Sequence, residues 1–258
     1  MAHKGMQDFI TSVKNKFPSY FNNERVLDIG SLDINGNNRV FFENSDYTGI
    51  DLGEGKNVDI ISLGHEYKSD KKFDVVITTE LLEHDIFWKK TFLNGYNLLD
   101  NYGLFIFTCA GIGREEHGTA RTSPDASPFT SKMNFWENYY ENRTMKDFVN
   151  ILDFEENFFE CSFQYTPGDL YFYGIKKSKS SIDIYSSKID NIINIKSKYT
   201  KKNIKVNIFK NKDLIYSTSF NLENNVEYWL KPNIIFLFND KLLIEVFEND
   251  ILIEKRIL

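Results

Sequence analysis

Two carboxylates and a glycine stand where an open α/β sheet meets its ligand. Asp28 and Gly30 close the apolar run RVLDIG, and Asp51 closes DYTGID, 21 residues after the glycine. A glycine at a strand end lets a ligand approach the backbone, because no Cβ obstructs it. An acid about twenty residues further on can accept hydrogen bonds from both hydroxyls of a ribose. The pair points to a ligand that contains adenosine. The loop also excludes ligands. A dinucleotide needs Gly-x-Gly-x-x-Gly, so that backbone N–H groups meet its pyrophosphate at a helix start. The run from Gly30 is GSLDING, and the chain has no Walker loop.

These residues need a sheet to place them. RVLDIG (25–30), DYTGIDLG (46–53), VDIIS (58–62), KFDVVITT (72–79) and GLFIFTCAG (103–111) read as strands. The fourth is continuous and β-branched, as buried parallel strands are. Residues 7–22 read as a helix ending near Pro18, and NRVFFEN as a short helix. Residues 85–100 carry Phe92, Leu93, Tyr96 and Leu99 at helical spacing. Strands alternating with helices and turns from 25 to 111 specify a parallel α/β sheet. A long polar loop follows (111–130). Thr144 with Asp147 then forms a capping-box-like helix start, and 158–177 reads as a hairpin turning at TPGD. After Lys177 the text changes. KSKSSIDIYSSK lacks a periodic core pattern and reads as a linker. The segments 204–220 and 242–258 resemble each other, with alternating apolar residues around KNKD and FEND. They predict two hairpins of a small β-sandwich or sheet. The expected division is a ligand-binding domain over 1–180 and a linker with a small β-rich accessory domain over 181–258.

The chain has 258 residues, a hydrophobic share of 41%, 23 phenylalanines and a net charge of −6. That acidic balance argues against nucleic-acid binding, which needs a basic face. Cys109 and Cys161 lie in apolar runs and are expected to be buried free thiols of a reducing compartment. No apolar stretch reaches eighteen residues, so no membrane span is expected. MAHKGM has no signal-peptide h-region and reads as an added leader ahead of Met6. A cytoplasmic protein is the expectation.

A ligand without phosphate needs no pyrophosphate cradle, and one with an amino-acid end would favour Asp28 for its ammonium; S-adenosylmethionine fits both conditions. VLDIGSLDING, YTGIDLGEGKNVDII, FDVVITTELLEHD and LLDNYGLFIFTCAG, in that order and spacing, resemble the successive motifs of class I S-adenosylmethionine-dependent methyltransferases. The resemblance covers about residues 7–177. It implies a Rossmann-like seven-stranded sheet with a reversed last strand. It places Asp28, Gly30 and Ser31 at the methionine end, and Asp33 and Gly36 in the turn. Asp51 would take the ribose with Leu52 beneath the adenine. Leu63, Gly64 and His65 would lie along the adenine edge, and Thr79 and Glu80 beside the sulfonium. Leu32 replaces the family's usual middle glycine. More narrowly, GSLDINGNNR, TTELLEHDIFWKKTF and GREEHGTART resemble a subgroup associated with surface-polysaccharide or sugar modification.

The acceptor is less legible. A hydroxyl acceptor benefits from a general base, whereas an amine needs only its neutral form and a route for its proton. His117, on the long loop, is the expected base, with His84 and Asp85 as alternatives. Glu83, Asp85, Glu116 and His117 offer metal-ligand atom types, but their spacing is not diagnostic and no metal is expected. Arg114 and Arg121, beside Glu116, could clamp an anionic substrate. Tyr139 and Tyr140 could stack on a sugar ring, as could Trp136, although that aromatic run also suits a core. The expected activity is O-methylation of a sugar hydroxyl, nucleotide-linked or on a polysaccharide precursor. An N-methyltransferase of an amino sugar or small amine is the alternative, and a non-catalytic binding module the third reading. The sequence assigns no role to the β-rich region; substrate contacts or a homodimer surface is the reading if its removal spares cofactor binding and lowers turnover.

Overall fold

The computed structural model describes residues 3–177, 182–187, 192–197, 201–210, 213–223, 227–230, 242–248 and 251–257. Two compact units divide between Lys177 and Ser178, three residues before the expected boundary.

In the first unit, seven strands run β1 (Arg25–Ile29), β2 (Asp46–Asp51), β3 (Ile60–Ile61), β4 (Phe73–Thr79), β5 (Leu99–Ala110), β6 (Phe158–Thr166) and β7 (Asp169–Lys176). They form one sheet in the order β3-β2-β1-β4-β5-β7-β6. The pairings β1–β2, β1–β4 and β4–β5 are parallel, and β7 is antiparallel to β5. Alternate residues of the central strands enter two different cores. Val26, Val75, Ile77, Leu104 and Ile106 pack with Met6, Phe9, Ile10 and Val13 of α1 (Lys4–Lys16). Leu27, Val76, Phe105 and Phe107 face the other way, against Phe92 of α2 (Trp88–Leu98), Phe148 of α3 (Met145–Val149) and Phe154 of α4 (Phe154–Asn157). Much of the phenylalanine goes here: Phe107 stacks on Phe148 and Phe172 with ring centroids 4.4 and 4.9 Å away.

Several local expectations shift for identifiable reasons. The first helix stops at Lys16 and a 3₁₀ turn spans Pro18–Phe21, because the residue before proline is pushed out of helical backbone. The third strand shrinks to two exposed residues at the sheet edge. The Thr144–Asp147 capping box forms, and the 158–177 hairpin turns at Pro167–Gly168. Cys109 is buried as expected. Cys161 is exposed, because its strand β6 is the outermost of the sheet.

The second unit holds β8 (Ile182–Ser187), β9 (Ile192–Ser197), β10 (Lys201–Lys210), β11 (Asp213–Leu222), β12 (Glu227–Leu230), β13 (Leu242–Glu248) and β14 (Ile251–Ile257). The two similar segments are the hairpins β10–β11 and β13–β14, joined through β10 and β13 into a four-stranded antiparallel sheet. Their turns at residues 211–212 and 249–250, and Leu258, lie outside the described residues. Residues 182–187, within the expected linker, form strand β8 of a three-stranded sheet in the order β12-β9-β8. Residues 178–181 and 188 of that linker lie outside the described residues. Ile184, Ile193 and Ile195 of the smaller sheet share a core with Ile204, Val206, Ile208, Ile244 and Val246 of the larger. Two sheets sharing one inner core make a β-sandwich. Among the described residues, no helix is long and apolar enough to cross a membrane.

Candidate active site

A cleft opens at the carboxyl ends of β1, β2 and β4, where a sheet of this kind binds its ligands. It has two lobes. The first, about 680 Å³ counting the solvent at its mouth, is lined by Asp28, Gly30, Ser31, Gly36, Asp51, Leu52, Thr79 and Glu80, among others. The second, about 330 Å³ on the same count, includes Leu63, Gly64, His65, Asp85 and Trp136. Gly30, Asp51, Leu52, Leu81 and Thr130 line both. Asp51 thus sits where the lobes meet.

The loop after β1 is shaped without the usual glycines. Gly30 has φ +83°, and a Cβ there would fall 3.0 Å from Leu81. The N–H groups of Gly30 and Ser31 both donate to the Ile50 carbonyl. Leu32 is accommodated because its side chain lies over Gly55, where a Cβ would fall 2.2 Å from the Leu32 Cδ1. Asp33 is not among the cleft-lining residues. Its carboxylate accepts from the Gly36 N–H (2.7 Å) and the Asn37 amide (2.9 Å), and it pairs with Lys56. The Lys56 contact, first among several, holds its pKa down.

Asp51 accepts from the N–H groups of Leu32 (2.9 Å) and Leu52 (2.7 Å), one on each oxygen. Each oxygen keeps a lone pair for a further donor. Burial raises the Asp51 pKa. Asp28 is 1% exposed and accepts from the Tyr47 hydroxyl (2.6 Å) and the Asn38 amide (3.2 Å). Burial pushes it up to about 6, against the pull of those two hydrogen bonds. The Asn38 amide also donates to the Thr79 hydroxyl. Asn38 Oδ1, Ser31 Oγ and Glu80 Oε2 are buried with no hydrogen-bond partner. All three residues line the first lobe.

The expected catalytic residues gather beside this cleft. Glu83, His84 and His117 bring one ligand-type atom each to within 4.8 Å of one another. The His84 and His117 rings meet edge-on with centroids 5.0 Å apart, and Tyr140 lies 5.4 and 5.1 Å from them. Burial, then His117, lowers the His84 pKa to about 3. Burial, then the negative charge of Glu80, raises Glu83 to about 8. Burial also lowers His117. Asp85 goes elsewhere. It lines the smaller lobe and accepts from the Phe87 N–H and the Thr91 hydroxyl, capping the approach to α2. Burial raises its pKa.

Charged loop residues find partners within the protein. Arg121 makes two hydrogen bonds to Glu116 (2.7 and 2.6 Å), and Arg114 pairs with Asp169 at 2.9 Å. Tyr139 contacts Arg143 and Glu141 through its hydroxyl. Trp136 is buried, donates its indole N–H to the His84 carbonyl and packs edge-on against Phe87. Asn38, Tyr47 and Phe129 are among the site residues missed in the sequence, as are Leu81 and Thr130, which line both lobes. Asn38 and Tyr47 reach Asp28 only through tertiary contacts. Phe129 lines the first lobe and lies over Gly53. One apolar residue inside a polar loop was its signal.

The sheet order and the single reversed strand β7 define the class I methyltransferase fold. No protein-family model matches the chain, and no curated protein matches it. Among solved structures it is similar to phosphoethanolamine N-methyltransferase 2 of Haemonchus contortus, in complex with phosphomonomethylethanolamine and S-adenosylhomocysteine. The identity is 16% and the TM-score 0.47, over 67% of this chain and 53% of that one. It is also similar to the N-methyltransferase NodS of Bradyrhizobium japonicum with S-adenosylhomocysteine (12%, TM-score 0.43, 67% and 87%). A third is the 1,6-didemethyltoxoflavin-N1-methyltransferase of Burkholderia thailandensis (14%, TM-score 0.42, 69% and 92%). The chain spans about half the length of the first of these.

Proposed function

We propose that the protein transfers a methyl group from S-adenosylmethionine to a hydroxyl of a small, sugar-like acceptor, nucleotide-linked or on a polysaccharide precursor. The observation that carries this reading is the two-lobed cleft with Asp51 at its junction. A nucleoside fits across such a junction, its base in the smaller lobe and its ribose on the acid. Ser31 Oγ and Asn38 Oδ1, which have no hydrogen-bond partner, and Glu80 Oε2, which lies 3.7 Å from His3 Nε2, supply polar contacts for an amino-acid end in the larger lobe. The residues therefore suit S-adenosylmethionine, which when bound supplies an electrophilic methyl on sulfur. The remaining task of the chain is positioning and proton handling. His117 donates its Nδ1–H to the Glu115 carbonyl at 3.0 Å, which leaves Nε2 as the proton-accepting atom. The test is incubation with S-adenosylmethionine and nucleotide sugars, read as a mass gain of one CH₂. Methylation of amines alone would overturn the hydroxyl assignment, and no methylation of any acceptor would count against catalysis.

Asp28 gives the cofactor site a pH dependence with a definite sign. Its folded-state pKa of about 6 lies above the ordinary 3.8, so the folded protein holds a proton that the unfolded chain has lost. The stability from this group, about 3 kcal/mol, is present below pH ~4 and lost as pH rises through ~6. A cationic ammonium prefers the ionised form. S-adenosylhomocysteine affinity should therefore fall by up to about tenfold per pH unit below 6. Calorimetry across that window should show the slope in the native protein and none in Asp28→Asn. A native protein with no slope would remove Asp28 from the ammonium site.

Every cofactor-lining residue lies in the first unit. A chain ending at Lys177 is expected to bind S-adenosylhomocysteine with native affinity. Loss of binding with an intact circular dichroism spectrum would show that the β-sandwich unit contributes to the cofactor site. Binding without turnover would assign that unit to the acceptor or to a homodimer contact.

A further inference from the structure

We propose that Glu83, His84 and His117 bind one divalent transition-metal ion, of the Mn²⁺, Co²⁺ or Zn²⁺ kind. Glu83 is 0% exposed, and neither of its carboxylate oxygens has a hydrogen-bond partner. A buried carboxylate without partners is costly, and such groups are normally paired or coordinate a metal. His84, 3% exposed, has a buried, partnerless Nδ1, and His117 a buried, partnerless Nε2. The three residues each hold a partnerless polar atom, and each brings one ligand-type atom to within 4.8 Å of the others.

The histidine tautomer fits this use. A carbonyl only accepts, so the contact to Glu115 places the proton on His117 Nδ1 and leaves the Nε2 lone pair free. Metal-binding histidines are commonly oriented in this way by a carbonyl on the other nitrogen. The two loops also close tightly. Gly118 has φ +67°, and a Cβ there would fall 2.6 Å from His84 Cε1 and 2.9 Å from Ser127 Cβ. Ser127 lines the cleft, so the cluster lies one residue behind its wall.

Among the described residues, the arginines near this cluster are engaged elsewhere. The Arg143 guanidinium donates to the Leu82 carbonyl, the Tyr139 hydroxyl and Glu141. Arg114 is held by Asp169. For that reason the neighbouring group of His3, Glu80 and Asp169 is the weaker candidate: Arg114 already supplies its positive charge. Two imidazoles and one carboxylate select a borderline transition metal over Mg²⁺ or Ca²⁺, which prefer all-oxygen sites. Three protein donors leave coordination positions open. If the proposed hydroxyl methylation holds, an acceptor hydroxyl at such a position would lose its proton more easily, and the histidines would then act through the metal.

The test is chelator treatment of the full chain, followed by titration with Co²⁺ and separately with Mn²⁺. A single equivalent of Co²⁺ should bind with visible d–d absorption, and an imidazole N–H resonance should show a paramagnetic shift. Glu83→Gln and His117→Ala should each weaken binding by about 100-fold or more, and His3→Ala should leave it unchanged. Thermal melting identifies any variant that fails to fold, and the native-chain titration decides the proposal in that case. Absence of a stoichiometric equivalent in the native chain, or native affinity in folded Glu83→Gln and His117→Ala, overturns the site. S-adenosylhomocysteine calorimetry on the same samples separates the two readings. Cofactor binding without metal removes the metal site alone, and metal binding without cofactor removes the cofactor assignment alone.

Discussion

Replacing Asp51 with alanine is expected to weaken S-adenosylhomocysteine binding by about 2–3 kcal/mol, the scale for losing hydrogen bonds to a charged acceptor. Asp51 is half-buried where the two lobes meet, and two backbone N–H groups fix its carboxylate. Those contacts orient it, so little is lost in ordering the group on binding. They also mean that alanine strips the loop of two acceptors. The measurement therefore needs a companion. Asp51→Asn keeps the shape and one oxygen acceptor while removing the charge, and it should lie between native and alanine. Calorimetry with melting curves on both variants decides. Native affinity in a folded Asp51→Ala protein would place the ribose elsewhere. NAD binding in the same assay would reopen a nucleotide reading that the loop sequence argues against.

His117→Ala is expected to lower kcat by about 10²-fold or more, the usual range for a lost proton-transfer group. Affinity for S-adenosylhomocysteine should stay close to native, because His117 is not among the cofactor-lining residues. His84→Ala should differ. Its ring is buried and packs against His117 and Tyr140, and its carbonyl accepts from the Trp136 indole. Stability should fall along with turnover. Single-turnover rates separate the chemical step from binding. Full activity in the His117 variant would rule out both direct and metal-mediated roles for that ring.

The sequence by itself determined the sheet and the residues that line the cleft at its strand ends. Strand positions follow from local apolar runs, and a glycine or acid at a strand end lies at the ligand face whatever the distant packing. Asp28, Gly30 and Asp51 were legible for that reason. The short third strand and the early helix stop were boundary shifts, which local patterns define poorly. Strand β8 was hidden because a short strand gains its stability from partners. Ile184 becomes a core residue only when β9 and the facing sheet cover it. Only the tertiary structure decided the roles around Glu83. In sequence, Glu83, His84 and Asp85 are three adjacent polar residues, of which His84 and Asp85 read as alternatives to His117 as base. Folding turns Asp85 onto Thr91 and the start of α2, and brings His117 across from a separate loop to the other two. It also commits Arg114 and Arg121 to Asp169 and Glu116. The Arg114–Asp169 pair and the approach of His117 join segments far apart in the chain, and residue type or spacing carries no record of such contacts.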